Sequence, residues 1–406
     1  MKKKDNILFY SEIKIKSTNP SLLNKNKKNI EKNLDKIINN IKTKKNFYHS
    51  LSKKFKFNFK KKDLKKYQKY KTIVIIGMGG SVLGAKAIYS FLQHKIKKEF
   101  IFFDNLDELK LKDFVDSNKS KKTLFIIISK SGNTIEAITN INYISKIKFN
   151  TSNTILITEN NDNGLKQFAK DMSITIIEHK KYIGGRYSIL SEVGMIPAYM
   201  MGLNIDGFRK NLLDYFKNNK KKILKANILI NSQLYLSKKM SSIIFLNYSP
   251  QLNNFLYWLQ QLIAESLGKK NKGLLPVISS APQDHHSLLQ LYLDGPKDKV
   301  FYIFSGSNLY NLKNKNIFFG ATFSFLKNKK IAQIIDSQKK AFIKVLKRKK
   351  IPYREVFINQ FTEQSLGELF SYFMIETAMI GNLINVNPFD QPAVDEVKKL
   401  TKQYLN

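Results

Sequence analysis

The sequence predicts an α/β fold: two doubly wound parallel-sheet domains with helical segments at the N- and C-terminal ends. A chain of 406 residues exceeds what one ordinary hydrophobic core accommodates, so two domains are expected. Short runs rich in β-branched residues alternate with helical patterns in two series, which is typical of parallel sheets covered on both faces. We predict an N-terminal helical segment over 1–70, a first domain over 71–210, and a second over 211–406 with C-terminal helices.

The N-terminal segment is rich in lysine, and its apolar residues recur at helical spacing: Ile30, Leu34, Ile37, Ile38 and Ile41. The first sheet is predicted from runs of β-branched and aromatic residues at 72–76, 99–103, 123–128, 154–158 and 173–177. A glycine-rich turn and a helical pattern over 82–92 follow the first of these strands.

The second series of elements begins beyond a polar, lysine-rich stretch at about 205–235, where we place the domain boundary. Its strands are predicted at 242–246, 299–304 and 354–358. Two long helical patterns follow, one over 366–383 and one from Pro392 to the end of the chain.

The formal net charge of +39 raises the question of a nucleic-acid partner. Only four of the 70 basic residues are arginine, although arginine is the residue suited to bidentate phosphate and base contacts. Lysine is instead scattered along the whole chain beside abundant Asn and Ile, a pattern that indicates genomic composition bias. We therefore expect no specific nucleic-acid partner.

The sequence contains no cysteine, so disulfides, cysteine nucleophiles and thiolate metal sites are excluded. No apolar run approaches the roughly 18 residues that span a bilayer, and no signal-peptide stretch follows the basic start of the chain. We expect a cytoplasmic protein with no membrane contact.

Two loops follow predicted strands, at the sheet edge where open α/β folds bind ligands. In the first, Gly77-Met-Gly-Gly-Ser81, glycines allow close approach of a ligand; the same loop would also suit a dinucleotide fold or a purely structural turn. In the second, Ser129-Lys-Ser-Gly-Asn-Thr134, small hydroxyl and amide donors surround the start of a helix. This density of donors favours phosphate binding over a simple helix cap.

Two further motifs could supply charge and proton transfer. Arg186 follows Gly184 and Gly185, where it is placed either beside developing oxyanion density or in an interdomain salt bridge. Gln261 and Glu265 are four residues apart and share one face of a helix. Glu265 interrupts an apolar stretch, which suits a general base as well as a salt-bridged glutamate.

The last two motifs contain adjacent histidines and a C-terminal lysine. His285 and His286 point in different directions and have no obvious third ligand, so an acid–base role is favoured over a metal site. Gln391 and Lys398 are seven residues apart, two helical turns along one face, so both could reach a common ligand. Lys398 otherwise resembles an ordinary surface charge.

These motifs, in this order, are similar to the signature set of the phosphoglucose isomerase family, and the resemblance covers about residues 72–400. It implies that Ser81, Ser129, Ser131 and Thr134 hold a substrate phosphate, with Gly80 and Gly185 as further substrate contacts. Arg186 matches the arginine that stabilises the enediolate-like intermediate. Glu265 matches the base that moves a proton between C1 and C2, with Gln261 close by. His286 and Lys398 match the pair that opens the sugar ring, and Gln391 matches a phosphate or active-site contact.

The resemblance further implies two sugar-isomerase (SIS-type) domains, which bind phosphorylated sugars. The implied reaction is the reversible isomerisation of glucose 6-phosphate and fructose 6-phosphate through an enediol, in glycolysis and gluconeogenesis, without a metal or redox cofactor. In the family the histidine comes from the neighbouring subunit, which implies a homodimer with shared active sites. Asn133, His285, Ala393 and Val397 depart from the family pattern. A dual phosphoglucose/phosphomannose isomerase and a non-catalytic phosphosugar-binding regulator are the alternatives.

Overall fold

In the computed structural model, the described residues are 5–13, 20–43, 45–117, 122–144, 148–307, 309–310, 312–313 and 321–405. Near the N-terminus, strand β1 (Ile7–Ser11) precedes helix α1 (Pro20–Lys42). The segment is helical over α1 as predicted, and β1 is an additional element that the sequence did not predict. Ile7 is buried, and the ring of Phe9 lies 4.3 Å from that of Tyr372, so tertiary packing fixes the extended form. A short helix, α2 (Lys61–Leu64), leads into the first sheet.

The first sheet has five parallel strands in the order β3-β2-β4-β5-β6. They are β2 (Thr72–Ile76), β3 (Glu99–Phe103), β4 (Thr123–Ile128), β5 (Thr154–Thr158) and β6 (Thr175–Glu178). The helices of this half are α3 (Leu83–Phe91), α4 (Glu108–Asp116), α5 (Ile135–Ile144), α6 (Gly164–Asp171) and α7 (Glu192–Met200). All six residues of β4 are buried, as expected for a central strand covered on both faces.

The second sheet also has five strands, in the order β1-β10-β9-β7-β8. Its later strands are β7 (Ser242–Asn247), β8 (Leu275–Ser280), β9 (Lys299–Gly306) and β10 (Tyr353–Ile358). These four run parallel, whereas β1 pairs with β10 in the antiparallel direction. The sequence reading missed β8, a short edge strand whose second residue is Pro276; edge positions tolerate proline because one side of the strand is unpaired.

The helices of the second half are α8 (Asn218–Leu236), α9 (Asn253–Leu267), α10 (Leu289–Asp294), α11 (Ile331–Lys349), α12 (Glu363–Leu383) and α13 (Pro392–Tyr404). Residues of α12 from Ser365 to Gly381 are buried all round, so this helix lies in the core. Helix α3 of the first half packs against α9 of the second. The domain boundary at 210/211 remains a prediction.

Candidate active site

The glycine loop after β2 lies against two other site motifs. Gly79 has a positive φ of 51°, and a Cβ atom added there would stand 2.9 Å from the side-chain nitrogen of Gln261. A Cβ atom at Gly80 would stand 2.3 Å from the carbonyl carbon of Gly185. Any side chain at Gly80 would therefore push apart two backbone segments, so the fold needs glycine here. The structure brings Gly80, Gly185 and Gln261 together.

The serine-rich loop joins β4 to the start of α5. Ser129 is buried, and its Oγ lies 2.9 Å from Oγ1 of Thr134. Ser131 is exposed, while the side-chain oxygen of Asn133 accepts a hydrogen bond from the Gly164 backbone at 3.2 Å. Asn133 therefore links this loop to the start of α6. The hydroxyls of Ser129, Ser131 and Thr134 remain at a helix N-terminus, where backbone N–H groups favour an anion.

Ser81 lies close to this loop. It ends the short 3₁₀ turn Gly79–Ser81, and its Cβ is 3.1 Å from the Cβ position of Gly77. That same position is 2.9 Å from the carbonyl oxygen of Ile128, the residue before Ser129. Gly77 thus allows the two strand-end loops to meet. The four hydroxyl residues assigned to phosphate binding lie on these two adjoining loops.

Arg186 is the centre of a polar cluster between distant parts of the chain. Its side chain is 3% exposed, and all five of its N–H groups donate hydrogen bonds. Nε donates to Ser266 at 2.9 Å, and Nη1 donates to Glu265 at 2.8 Å and to Gln391 at 3.0 Å. Nη2 donates to the backbone carbonyls of Pro388 at 2.8 Å and Asp390 at 3.0 Å. These bonds satisfy a buried cation that would otherwise be strongly destabilising.

Glu265 uses its two carboxylate oxygens on different partners. Oε2 accepts from Arg186, and Oε1 accepts from the amide nitrogen of Gln261 at 2.9 Å. The side chain remains 30% exposed, so a substrate can reach it. The Oε1 atom of Gln261 is buried and has no partner among the described residues. A carboxylate fixed by two donors and open on one side is suited to accept a proton.

The two neighbouring histidines have different surroundings. His285 Nε2 lies 2.8 Å from the hydroxyl of Tyr248, and its ring packs against Phe342. Burial lowers the pKa of His285 below its usual range. The side chain of His286 is exposed and makes no hydrogen bond or ion pair with any described residue. The side chain of His285 is therefore packed against Tyr248 and Phe342, while that of His286 faces solvent.

The C-terminal motif is split between the cluster and solvent. Gln391 joins the cluster through Arg186, one residue before α13 begins. Lys398 is exposed on α13, and within the described chain its side chain makes no hydrogen bond or ion pair. The structure thus brings Gln391 to Arg186 but gives no described contact between Lys398 and the other predicted site residues.

Several residues of the cluster were missed in the sequence. The Tyr187 hydroxyl lies 3.0 Å from Ser266 Oγ and donates to the Pro388 carbonyl, and Trp258 Nε1 donates to the Arg186 carbonyl at 3.1 Å. The sequence signal available for finding these residues was their position. All three lie within or next to predicted motifs: Tyr187, Trp258 and Ser266. Their contacts cross about 70 to 200 positions of sequence, and spacing alone does not reveal such pairs.

No group of three or more metal-ligating side chains occurs within the described parts of the chain. The same residues include no helix that is both long enough and apolar enough to cross a membrane.

Comparisons with known proteins give relatives of similar length. The glucose-6-phosphate isomerase of Methanocaldococcus jannaschii is 33% identical over 344 residues, covering 82% of this chain and 83% of that protein. The enzyme of the same name from Campylobacter jejuni is 30% identical over 356 residues, covering 83% and 86%.

Two solved structures support the same fold. A hypothetical protein from Thermus thermophilus aligns with a TM-score of 0.82 at 22% identity, over 98% of this chain and 100% of that one. A glucose-6-phosphate isomerase from Chlamydia trachomatis aligns with a TM-score of 0.69 at 20% identity, over 84% and 71%. The predicted pair of sugar-isomerase-type α/β domains is confirmed.

A fixed guanidinium beside an accessible carboxylate, near loops suited to phosphate, is what enediol chemistry on a phosphorylated sugar requires. The relatives named glucose-6-phosphate isomerase define the class of this chain, an aldose–ketose isomerase. The phosphoglucose isomerase family model matches residues 19–406, and the chain belongs to this family.

Proposed function

We propose that this chain interconverts glucose 6-phosphate and fructose 6-phosphate, with Glu265 as the base and Arg186 as its electrostatic partner. The family match and the relatives named glucose-6-phosphate isomerase bear out the activity predicted from the sequence. They do not favour a dual epimer specificity or a non-catalytic regulator. The reaction is a step of glycolysis and, in reverse, of gluconeogenesis. The roles of individual residues are our proposal.

The observation that carries the proposal is the direct link from Gln261 through Glu265 to Arg186 and Gln391. Glu265 takes the proton from C2 of the open aldose and returns it to C1, while the O2 hydroxyl proton is transferred to O1, so the carbonyl moves to C2. Negative charge develops on the enediolate oxygens, and the adjacent guanidinium stabilises it. All five Arg186 N–H groups already have partners, so the arginine acts through its fixed charge, or through Nη1 when Gln391 moves aside.

The phosphate anchor supplies orientation rather than chemistry. Ser129, Ser131 and Thr134 offer hydroxyls at the N-terminus of α5, and Ser81 offers another from the adjoining loop. Binding the phosphate there holds the reacting carbons in place, which lowers the entropic part of the barrier.

Ring opening requires an acid–base pair, for which we propose His286 and Lys398. Both are exposed, and neither contacts the Glu265–Arg186 pair within the described residues. We propose that His286 completes the site of a neighbouring subunit, which makes the active form a homodimer. A cytoplasmic location is part of the same proposal, because phosphorylated sugars of central metabolism are found there.

A coupled assay tests the activity. Purified protein is given fructose 6-phosphate without added metal, and glucose 6-phosphate formation is followed by an NADP-linked dehydrogenase, with mannose 6-phosphate in a parallel reaction. We expect turnover of fructose 6-phosphate that exceeds that of mannose 6-phosphate. Absence of fructose 6-phosphate turnover by folded protein would disprove the proposed function, and equal rates would point to the dual enzyme.

A further inference from the structure

A lysine outside the predicted site set connects α9 to the C-terminal loop. Lys269 follows the helix that carries Gln261 and Glu265, and its side chain is only 11% exposed. Its ammonium donates to the carbonyl of Asn387 and to the carbonyl of Ser266 at 3.3 Å, and it pairs with Asp390 Oδ1 at 2.9 Å. Three oxygens around one ammonium use its full set of donors.

The loop that Lys269 contacts, residues 387–391, delivers Gln391 to the active-site cluster. Arg186 and the Tyr187 hydroxyl hold the Pro388 carbonyl from one side, and Arg186 also holds the Asp390 carbonyl. Lys269 holds Asn387 and the Asp390 carboxylate. The loop is therefore fixed by two cations, one of which we place in the chemistry.

Helix α13 depends on this loop for its position. Its described side chains are exposed, and the hydrogen bond of its Thr401 hydroxyl returns to its own backbone, at Val397. No side chain from Pro392 to Tyr404 is hydrogen-bonded to another element within the described residues. The direction in which α13 leaves the cluster, and with it the location of Lys398, is set where Gln391 is fastened.

We propose that Lys269 is a positioning residue for the isomerase reaction: it clamps the 387–391 loop so that Gln391 meets Arg186 and α13 starts at the site. This inference rests on the proposed function. Lys269 touches neither Glu265 nor the phosphate loops by a hydrogen bond, so it acts through the loop. A purely structural ion pair would instead contribute to stability and leave turnover unchanged.

The test compares Lys269→Met, which keeps an apolar stem and removes the charge, with Lys269→Arg, which keeps the charge. Lys270→Met is the matched control, because Lys270 is the next residue, is exposed, and has no hydrogen-bond or ion-pair partner in the described chain. We expect Lys269→Met to lower kcat/KM by roughly 10- to 100-fold, as a misplaced contact remote from the chemistry does. Lys269→Arg should recover most of the loss, and Lys270→Met should match the wild type.

Amide hydrogen exchange of peptides covering residues 387–394, measured without substrate, reports how firmly Lys269 holds the 387–391 loop. This measurement does not depend on activity. We expect faster exchange in Lys269→Met only. If the wild type shows no isomerase activity but the exchange differs, the proposed function fails while the clamp stands. If Lys269→Met retains wild-type kcat/KM, the positioning role is overturned, whatever the exchange shows.

A double-mutant cycle with Gln391→Ala separates action through the loop from general damage. If Lys269 acts by placing Gln391, the fold-decrease in kcat/KM of the double variant should be smaller than the product of the fold-decreases in the two single variants. Fully multiplicative losses would mean that Lys269 does not act through Gln391, and would overturn the proposed route.

Discussion

The Arg186 cluster and the His286–Lys398 pair represent opposite states of organisation within one predicted site. In the cluster, Glu265, Arg186 and Gln391 are already joined by hydrogen bonds of 2.8 to 3.0 Å, as are Glu265 and Gln261. His286 and Lys398 are exposed and unpartnered within the described residues. The residues proposed for proton transfer are therefore joined by hydrogen bonds within one chain, whereas the side chains proposed for ring opening make no contact of this kind with them.

The physical reason lies in burial. A guanidinium at 3% exposure is strongly destabilising unless its donors are satisfied, so folding favours assembly of this cluster. An exposed imidazole or ammonium is solvated by water and imposes no such requirement. Its functional position can therefore depend on a second subunit or on substrate.

Removing the carboxylate of Glu265 should reduce turnover more than any other change considered. Glu265→Gln preserves shape and the contact from Gln261 but cannot accept a proton, so kcat should fall by about 10² to 10⁴ with little change in substrate affinity. Steady-state kinetics measure this. Glu363→Gln is the control, because it removes a carboxylate that pairs with Lys95 outside the site. More than about a tenth of the wild-type rate in Glu265→Gln would remove Glu265 from the role of base.

A second prediction concerns His179, which is buried, whereas His286 is exposed. Its side chain is buried beside Lys130, and burial, aided by that charge, lowers the pKa of His179 to about 4. Above the unfolded pKa of about 6.5 the residue is neutral in both states. As pH falls from there towards 4, only the unfolded chain takes up the proton, so about 3 kcal/mol of unfolding free energy is lost.

Urea unfolding at a series of pH values measures that loss. His179→Gln should flatten the decline between pH 6.5 and pH 4, and His286→Gln, the same change at an exposed position, should leave it steep. An unchanged slope in His179→Gln would show that other groups cause the acid sensitivity.

A third prediction tests whether Glu265 of one subunit and His286 of the other form one active site. Glu265→Gln and His286→Ala chains are mixed and allowed to exchange subunits, which makes about half the dimers mixed. If His286 acts in the active site of the neighbouring subunit, one site of each mixed dimer contains both substitutions and the other site contains neither. About a quarter of all sites then regain wild-type activity.

If each chain supplies its own histidine, every site keeps one lesion. Activity that stays at background, with exchange verified by a tag pull-down, would refute the shared site.

The smallest expected effect concerns the phosphate loops. Ser129→Ala and Thr134→Ala should each raise KM by about 10-fold or somewhat more, since a lost hydrogen bond to a charged group is worth about 1.5 to 3 kcal/mol. The two hydroxyls bond each other, so the double variant should be less than additive. Inorganic phosphate as a competitive inhibitor provides the independent readout. Ser117→Ala, on a helix end outside the site, is the control. Absence of competition would separate this loop from phosphate.

The parallel α/β architecture and most of its strands could be predicted from the amino-acid sequence alone. Buried strands such as β4 read as continuous apolar runs, and loops that follow them lie at one sheet edge whatever the packing. The motif residues could also be predicted, because glycines at close approaches and charges in apolar stretches are local signals. Edge strand β8 was not predicted because Pro276 interrupts its apolar run. Strand β1 has four consecutive apolar residues, but it lies in a lysine-rich segment whose periodicity predicted helix.

Only the tertiary structure decided which motif residues meet. Arg186 binds Ser266, Pro388 and Asp390, which lie 80 to 204 positions away in the chain. It also decided that His285 packs against Tyr248 while His286 faces solvent, although the two are neighbours in sequence. Periodicity reports which side of an element is buried, but pairing depends on the three-dimensional path of the chain. A buried cation can donate hydrogen bonds to any acceptor that the folded backbone places within about 3 Å. The spacing of residues in the sequence does not predict which acceptors these are.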